Sequence, residues 1–253
     1  MSLVLVPASL SLPVTLTGAA PYADALPRLS VSAAGDALDA VAAPALPTET
    51  ASRGTAVELV PPPMLKPGCD SRRVFSVGDS LTVGVLEFGG YHSKLIAAGF
   101  QPTSVAQVGR FASWGVSQFR TAVAAGSVGG LVVAGFGTND AYKTPPSYVG
   151  AFRQRVDEFM QIAGPDRTVV WVNLQFGKPG AATYADMVAM AEPFNQVLRD
   201  KALEWPNLVV LDWNSTPNRT NLGGDQMHYN TTGYRNRAAF IVEGLVAISC
   251  RPA

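Results

Sequence analysis

From residue 70 onward, short runs of apolar, β-branched and almost uncharged residues alternate with longer segments that have the spacing of amphipathic helices. Such runs are typical of parallel strands covered by helices on both faces, because neither face then needs polar side chains. The predicted strands are Val74–Val77, Ser104–Val108, Leu131–Phe136, Val169–Leu174 and Leu208–Leu211.

The segments between these runs are predicted to be helices. In the segment Ser147–Ile162, Val149, Phe152, Val156 and Phe159 recur at three- and four-residue steps, with charged residues between them. The other predicted helices are Tyr91–Ala98, Trp114–Ala125, Ala185–Glu204 and Thr232–Ile248. Strands and helices in alternation predict a doubly wound, three-layer α/β/α sandwich. In this architecture, ligands bind at the carboxyl ends of the strands.

Charge balance argues against a polyanionic partner. The 253 residues include 19 basic and 19 acidic ones, and hydrophobic residues make up 47% of the chain. This apolar content is enough for one sizeable core. Because the charges cancel, neither nucleic acid nor an anionic membrane surface is an expected partner.

The first 68 residues differ in composition from the rest of the chain. Residues 1–25 are apolar, contain no Lys or Arg and end in an A-x-A pattern, which resembles the end of a secretory signal; a disordered tail is the alternative. Residues 26–68, rich in Pro and Ala, are predicted to be a linker or N-terminal extension that precedes a domain at 69–253. Prolines disfavour a membrane-spanning helix in the first segment, and no other stretch is long and apolar enough.

The chain has two cysteines, Cys69 and Cys250, just before the first predicted strand and just after the last predicted helix. Both positions fall at the amino-end edge of a parallel sheet, so the two sulfurs are expected to meet in a disulfide, which requires an oxidising compartment. Two unrelated thiols are the alternative. The two Cys and two His residues are too widely spaced for a metal site.

Only His92 and His228 offer an imidazole as a general base. His228 follows Asp225 by three residues in a turn that opens with two glycines. A carboxylate so placed can accept the Nδ1 proton and leave Nε2 free to take a proton from a hydroxyl. His92 has no acid near it in sequence, so it is expected to be a surface or packing residue.

Ser80, in the segment Gly78-Asp79-Ser80, follows the first predicted strand at the carboxyl end of the sheet. A helix that begins there would offer free N–H groups to an oxyanion beside a serine nucleophile. The alternative is that Ser80 only caps a helix.

Two further segments follow strand ends. Asn139, in Gly137-Thr138-Asn139-Asp140, has a side-chain amide that can donate to a developing oxyanion, although an Asx turn explains it equally well. Gly109, in Val108-Gly109-Arg110, allows the backbone to approach a substrate closely and to offer its N–H.

These four segments, in this order and spacing, resemble the SGNH (GDSL-like) hydrolase family over about residues 72–247. The resemblance implies a flavodoxin-like five-stranded parallel sheet, the SGNH hydrolase fold. It implies a catalytic triad of Ser80, Asp225 and His228. It also implies an oxyanion hole formed by Ser80 N–H, Gly109 N–H and the Asn139 amide.

The second segment departs from the commoner Asn-x-Gly pattern, because it reads Val108-Gly109-Arg110-Phe111. This form is similar to the SGNH domains attached to membrane O-acyltransferases of cell-envelope glycans, as are Trp171–Leu174, Phe194–Leu198 and Asn207–Trp213. No multi-span membrane domain accompanies it here, so the similarity bears on envelope location more than on transferase activity.

The expected function is therefore that of an exported, monomeric esterase acting on small-molecule, glycan or lipid esters. This chemistry requires no metal or organic cofactor. Arg110 and Asp140 are candidate substrate-binding residues, although a solvated Arg110 is the simpler interpretation. An O-acyltransferase with the same triad and a catalytically silent glycan-binding module are the alternatives.

Overall fold

The computed structural model describes residues 72–177 and 185–248. The signal-like segment 1–25, the linker 26–68 and the proposed disulfide between Cys69 and Cys250 lie outside the described residues. These three therefore stay predictions.

Five parallel strands of the described residues form one sheet in the order β2-β1-β3-β4-β5, as predicted for a flavodoxin-like fold. Each strand pairs in parallel register with its neighbour, and central strands such as β3 and β4 are buried along their whole length. The strands are β1 (Arg73–Gly78), β2 (Gln101–Ala106), β3 (Leu131–Gly135), β4 (Thr168–Val172) and β5 (Leu208–Leu211).

The helices in the described residues are α1 (Ser80–Glu87), α2 (Tyr91–Ala97), α3 (Ala112–Ala124), α4 (Thr138–Lys143), α5 (Val149–Ala163), α6 (Ala185–Glu204) and α7 (Thr231–Ile248). Short 3-10 turns occupy Pro146–Tyr148, Trp213–Ser215 and Pro217–Asn221. The sequence patterns predict five of these helices, α2, α3, α5, α6 and α7, to within a few residues. For α1, of 8 residues, the sequence predicts only a start beside Ser80, and for α4, of 6 residues, it predicts no helix; each begins within three residues of a strand's end.

The two faces of the sheet bury separate hydrophobic clusters, which confirms the three-layer architecture. Alternate strand residues point to opposite faces, as with Phe75 and Val74 of β1. On one face the strands pack against α3, α5 and α6, where Phe119, Phe152 and Phe159 are fully buried. On the other face they pack against α1, α2 and α7.

Strand β2 differs from its predicted span of Ser104–Val108. Its pairing with β1 runs from Gln101 to Ala106, and the N–H of Gln107 donates a last hydrogen bond to Gly78 O at 3.1 Å. As an edge strand it is only partly buried, so its sequence lacks a clear apolar run. Gly109 therefore lies within the loop between β2 and α3, three residues past the end of the strand.

The chain leaves β1 for β2 on one side and then crosses to β3 on the other side of β1. The carboxyl ends of β1 and β3 therefore form the point where the strand order reverses, which is where ligands bind in open α/β sheets. None of the helices in residues 72–177 and 185–248 has the length and apolar content needed to traverse a bilayer.

Candidate active site

Ser80 is the first residue of α1, directly above the end of β1. Asp79, rather than Ser80, caps this helix, because the Asp79 Oδ1 accepts a hydrogen bond from Leu81 N at 3.0 Å. A Cβ atom on Gly78 would lie 1.8 Å from Thr82 Oγ1 and 3.0 Å from the Gly135 carbonyl oxygen, so only glycine allows the helix to begin so close to the strands. The Ser80 hydroxyl is left free for another partner.

That partner is His228. The Ser80 Oγ and His228 Nε2 atoms are 2.8 Å apart, and the His228 Nδ1 atom lies 2.6 Å from Asp225 Oδ2. The serine and histidine are separated by 148 residues in the chain, so the fold itself brings them together. The structure thus places Ser80, His228 and Asp225 in a continuous chain of hydrogen bonds, in the order that the sequence predicts.

Asp225 is held as a carboxylate. Its Oδ1 atom accepts hydrogen bonds from the backbone N–H groups of Met227 and His228 at 3.0 and 2.9 Å. Partial burial acts to raise the pKa of the Asp225 carboxyl, but the hydrogen bonds from the His228 ring and from the two N–H groups outweigh it and lower the pKa to about 2. The group is therefore negative throughout the neutral range.

A tight hairpin sets the geometry of this acid and base. Gly223 N donates to His228 O at 2.6 Å, Gln226 N donates to Gly223 O at 3.0 Å, and Leu222 pairs with Tyr229 in an antiparallel bridge. The backbone at Gln226 takes a positive φ of 57°, and its carbonyl accepts a hydrogen bond from the chain that follows β4, at Gly177 N. The turn is thus held by hydrogen bonds within it and by one hydrogen bond from a neighbouring segment.

Asn139 joins the loops that follow β1 and β2. Its side-chain nitrogen donates to Arg110 O at 3.1 Å and, more weakly, to Asp79 Oδ2 at 3.4 Å. Gly109, one residue before Arg110, turns the chain with a φ of +75°, a conformation that glycine adopts without strain. The structure therefore brings the loop of Gly109 and the amide of Asn139 next to the residue that precedes Ser80.

Asp140 does not occupy a substrate-binding position, contrary to the sequence-based prediction. Its side chain has no exposed surface, and its two carboxylate oxygens accept from Ala112 N at 3.3 and 3.0 Å. It therefore anchors the first residue of α3. Burial raises the pKa of the Asp140 carboxyl to about 6, and burial likewise raises the pKa of Asp79 to about 6.

Arg110, the other candidate substrate-binding residue, is half-buried. Its guanidinium carbon lies 5.7 Å from the centroid of the Trp114 ring, a cation–π distance. Its Nε atom is buried and has no hydrogen-bond partner within the described residues. The other candidate base, His92, lies elsewhere, with its Nε2 atom 2.8 Å from Ser104 Oγ on β2.

A comparison with protein families matches residues 76–235 to the family described as "GDSL-like Lipase/Acylhydrolase family". The match spans more than half of the chain and includes Ser80, Asn139 and His228. The chain belongs to the GDSL-like lipase/acylhydrolase family. A comparison with curated proteins gives no match.

Solved structures of other GDSL-like hydrolases share the fold. The lipase/acylhydrolase of Enterococcus faecalis is 18% identical, with a TM-score of 0.59, over 72% of this chain and 100% of that one. The C-terminal catalytic domain of Streptococcus pneumoniae peptidoglycan O-acetyltransferase A is 19% identical, with a TM-score of 0.53, over 69% and 92%. A GDSL-like lipase of Bacteroides thetaiotaomicron is 17% identical, with a TM-score of 0.53, over 69% and 88%.

The strand ends of this GDSL-like hydrolase are braced by polar side chains to which sequence reasoning assigned no contacts. Asn195 on α6 pairs with both the N–H and the C=O of Leu174, each at 2.9 Å, and Asn173 donates to Asp212 at 2.7 Å. The sequence signal for these contacts is an asparagine that stands alone among apolar residues, because a buried amide needs hydrogen-bond partners.

Two cations also went unassigned from the sequence. Arg237 on α7 is 3% exposed and lies over the Trp213 ring at 5.4 Å, on the face of the sheet that packs α1. Lys143 is the last residue of α4 and is exposed. The signal for Lys143 was its spacing of four residues from Asn139, which puts both on one side of a helix.

Within residues 72–177 and 185–248, no group of three or more His, Cys, Asp or Glu side chains is placed to hold a metal ion.

Proposed function

We propose that this protein is a serine esterase that hydrolyses carboxylic esters through an acyl-enzyme on Ser80. The observation that carries the proposal is the unbroken sequence of contacts from Ser80 Oγ to His228 Nε2 at 2.8 Å and from His228 Nδ1 to Asp225 Oδ2 at 2.6 Å. These are the contacts that a nucleophile, its base and the orienting acid require.

The reaction begins when Ser80 Oγ attacks the ester carbonyl carbon and its proton passes to His228 Nε2. The carbonyl π electrons move to oxygen and form a tetrahedral oxyanion. When the intermediate collapses, the bond to the alkoxy group breaks and His228 protonates the leaving alcohol. Water then attacks the acyl-enzyme, again giving its proton to His228, and releases the acid with Ser80 restored.

The oxyanion is assigned three donors. As the first residue of α1, Ser80 has an N–H with no acceptor inside the helix. The Gly109 N–H comes from the loop after β2. The Asn139 amide supplies the third, since its contact with Asp79 is long at 3.4 Å and a negative oxygen near Ser80 competes well for that hydrogen.

The proposed substrates are short O-acyl groups on cell-envelope carbohydrate or lipid, met outside the cytoplasm. Support comes from the signal-like segment 1–25, from the disulfide predicted between Cys69 and Cys250, and from the sequence form Val108-Gly109-Arg110-Phe111. The fold shared with a peptidoglycan O-acetyltransferase catalytic domain agrees with such a substrate.

The esterase proposal is tested with 4-nitrophenyl esters from acetate to dodecanoate, using wild type, Ser80→Ala and the control Ser117→Ala, an exposed serine on α3. We expect turnover that is highest on acetate, lost by about 10³-fold or more in Ser80→Ala and retained in Ser117→Ala. Turnover that survives in Ser80→Ala, or none in the folded wild type, would contradict the proposal, and the second result would favour a glycan-binding module.

An O-acyltransferase with the same triad is the second candidate, favoured by the likeness to the O-acetyltransferase domain. The two reactions differ in the acceptor of the acyl-enzyme, which is a sugar hydroxyl in one and water in the other. Adding N-acetylglucosamine oligomers to the acetate assay separates them. Acetylated oligosaccharide formed at the expense of free acetate supports transfer, and free acetate alone supports hydrolysis.

A further inference from the structure

Two cationic residues, Arg110 and Lys143, lie next to Gly109 on different elements. Arg110 follows Gly109 in the loop after β2, while Lys143 ends α4. A Cβ atom built on Gly109 would lie 3.7 Å from the Lys143 Nζ atom, so the ammonium group sits directly beside the glycine. The same Nζ lies 6.0 Å from the centroid of the Phe111 ring.

The position of Lys143 is tied to that of Asn139. The two residues are four apart on α4, so their side chains lie on the same side of the helix, one turn apart. The Asn139 amide meets the loop after β2 at Arg110 O, and the Lys143 ammonium meets it at Gly109. A positive charge therefore lies about one helical turn from the amide assigned to the oxyanion.

Arg110 adds a second, partly desolvated cation. Its Nε atom is buried, and among the described residues nothing accepts its hydrogen bond. The Arg110 guanidinium carbon also lies 5.7 Å from the centroid of the Trp114 ring, within the range of a cation–π contact. A buried polar atom without a protein partner is uncommon, so the Arg110 Nε–H has a hydrogen bond that it can still donate.

No carboxylate of the described residues pairs with either cation. The acid nearest to Lys143 in sequence, Asp140, turns inward to Ala112 N. Elsewhere in the described part, cations such as Arg153 and Lys201 do have carboxylate partners, Asp200 at 2.6 Å and Asp157 at 2.8 Å. The edge of the candidate active site thus carries local positive charge although the whole chain is neutral.

We propose that Arg110 and Lys143 form a carboxylate-binding subsite beside the oxyanion donors, so that the preferred substrates are esters that carry a carboxylate. This inference rests on the proposed esterase function and adds the charge of its substrate. Arg110 provides a flat, two-pronged contact to the carboxylate and Lys143 a point charge. Val108, two residues before Arg110, and Tyr142, directly before Lys143, are exposed and are available for apolar contact with the substrate.

The test uses two matched ester pairs that place the carboxylate on either side of the scissile bond. The acyl pair is mono-4-nitrophenyl adipate and its methyl ester; the alcohol pair is 4-acetoxybenzoate and its methyl ester. For each pair, the ratio of kcat/KM for the anionic ester to that for the neutral ester is measured. The proteins are wild type, Arg110→Gln, Lys143→Gln, Lys143→Arg and the control Lys94→Gln, an exposed lysine of α2.

We expect a wild-type ratio well above one in one of the two pairs, which also identifies the side that carries the charge. The ratio should fall about 5- to 10-fold in each Gln variant, remain near wild type in Lys143→Arg and Lys94→Gln, and decrease in 0.5 M NaCl because salt screens the attraction. These results would support the subsite.

Ratios near or below one in both pairs would overturn the subsite while leaving the esterase proposal intact. Equal losses on anionic and neutral esters in Lys143→Gln would overturn it too, because they would mean that the charge acts on the oxyanion of every ester. Hydrolysis of none of the four esters by folded wild type would refute the esterase proposal and the subsite together.

Discussion

Replacing Asp225 with asparagine exchanges one oxygen for an NH₂ group, and the structure dictates which one. The Oδ1 position faces two backbone donors, Met227 N and His228 N, at 3.0 and 2.9 Å. The amide oxygen must take this position, so the NH₂ group takes the Oδ2 position, 2.6 Å from His228 Nδ1. A donor there favours the tautomer with hydrogen on Nε2, and that nitrogen cannot accept the proton of Ser80.

The size of the effect follows from the hydrogen bonds. Turning the amide over would leave two backbone N–H groups facing an NH₂ group. Each unsatisfied donor would then destabilise that arrangement by about 1–3 kcal/mol. The unproductive arrangement is therefore strongly preferred in Asp225→Asn. The carboxylate charge that stabilises the imidazolium of His228 is lost as well. Together these effects predict a decrease in kcat/KM of about 10⁴-fold, or about 5.5 kcal/mol in the barrier.

The assay is steady-state hydrolysis of 4-nitrophenyl acetate, with thermal unfolding recorded for each protein to show that it is folded. Asp166→Asn is the matched control, because Asp166 is exposed in the turn before β4. It should retain wild-type activity. A decrease of less than tenfold in folded Asp225→Asn would refute the assignment of Asp225 as the residue that orients His228.

The remaining predictions concern stability, the oxyanion and the cysteines. Burial raises the pKa of Asp140 from 3.8 to about 6, so the folded state takes up a proton before the unfolded chain does. Lowering the pH from 7 to 5 should therefore increase the free energy of unfolding through this group by about 1.3 kcal/mol, and denaturant titration should find that part of the increase missing in Asp140→Asn. Asn139→Ala should lower kcat on 4-nitrophenyl acetate about 10²- to 10³-fold with a smaller change in KM; an unchanged kcat would remove Asn139 from the oxyanion site. Protein purified without reductant should show no free thiol after denaturation, whereas two reactive thiols would rule out the Cys69–Cys250 disulfide.

The fold was predictable wherever burial left a recognisable pattern of apolar residues in the sequence. Central strands such as β3 are buried on both faces and therefore consist of uninterrupted apolar residues. The edge strand β2 was misplaced because its partly exposed side chains carry no such pattern. The sequence predicts a start but no span for α1 and no helix for α4, because the few residues after each strand show no helical period; their starts depend on the contacts of Asp79 and on the turn at Gly137.

The candidate site likewise contains some residues whose roles the sequence predicts and others whose roles it does not. Ser80, Asp225 and His228 were predictable because their spacing and neighbouring glycines are visible along the chain. The role of Asp140 was not, because its partner Ala112 N is 28 residues away and belongs to another element. Adjacency to Asn139 in sequence placed Asp140 near the site, but its carboxylate is buried against Ala112 N, whereas the longer Lys143 side chain, four residues after Asn139, reaches Gly109.

In the proposed mechanism, His228 activates Ser80 as the nucleophile. Mass spectrometry of the folded protein after treatment with an alkyl fluorophosphonate tests it most directly, because the reaction displaces fluoride and leaves a phosphonyl group on the attacking oxygen. We expect a single adduct, on the peptide that contains Ser80, which forms in wild type and not at a comparable rate in His228→Asn. An adduct on a different residue, or labelling of Ser80 that is equally fast without the imidazole, would contradict it.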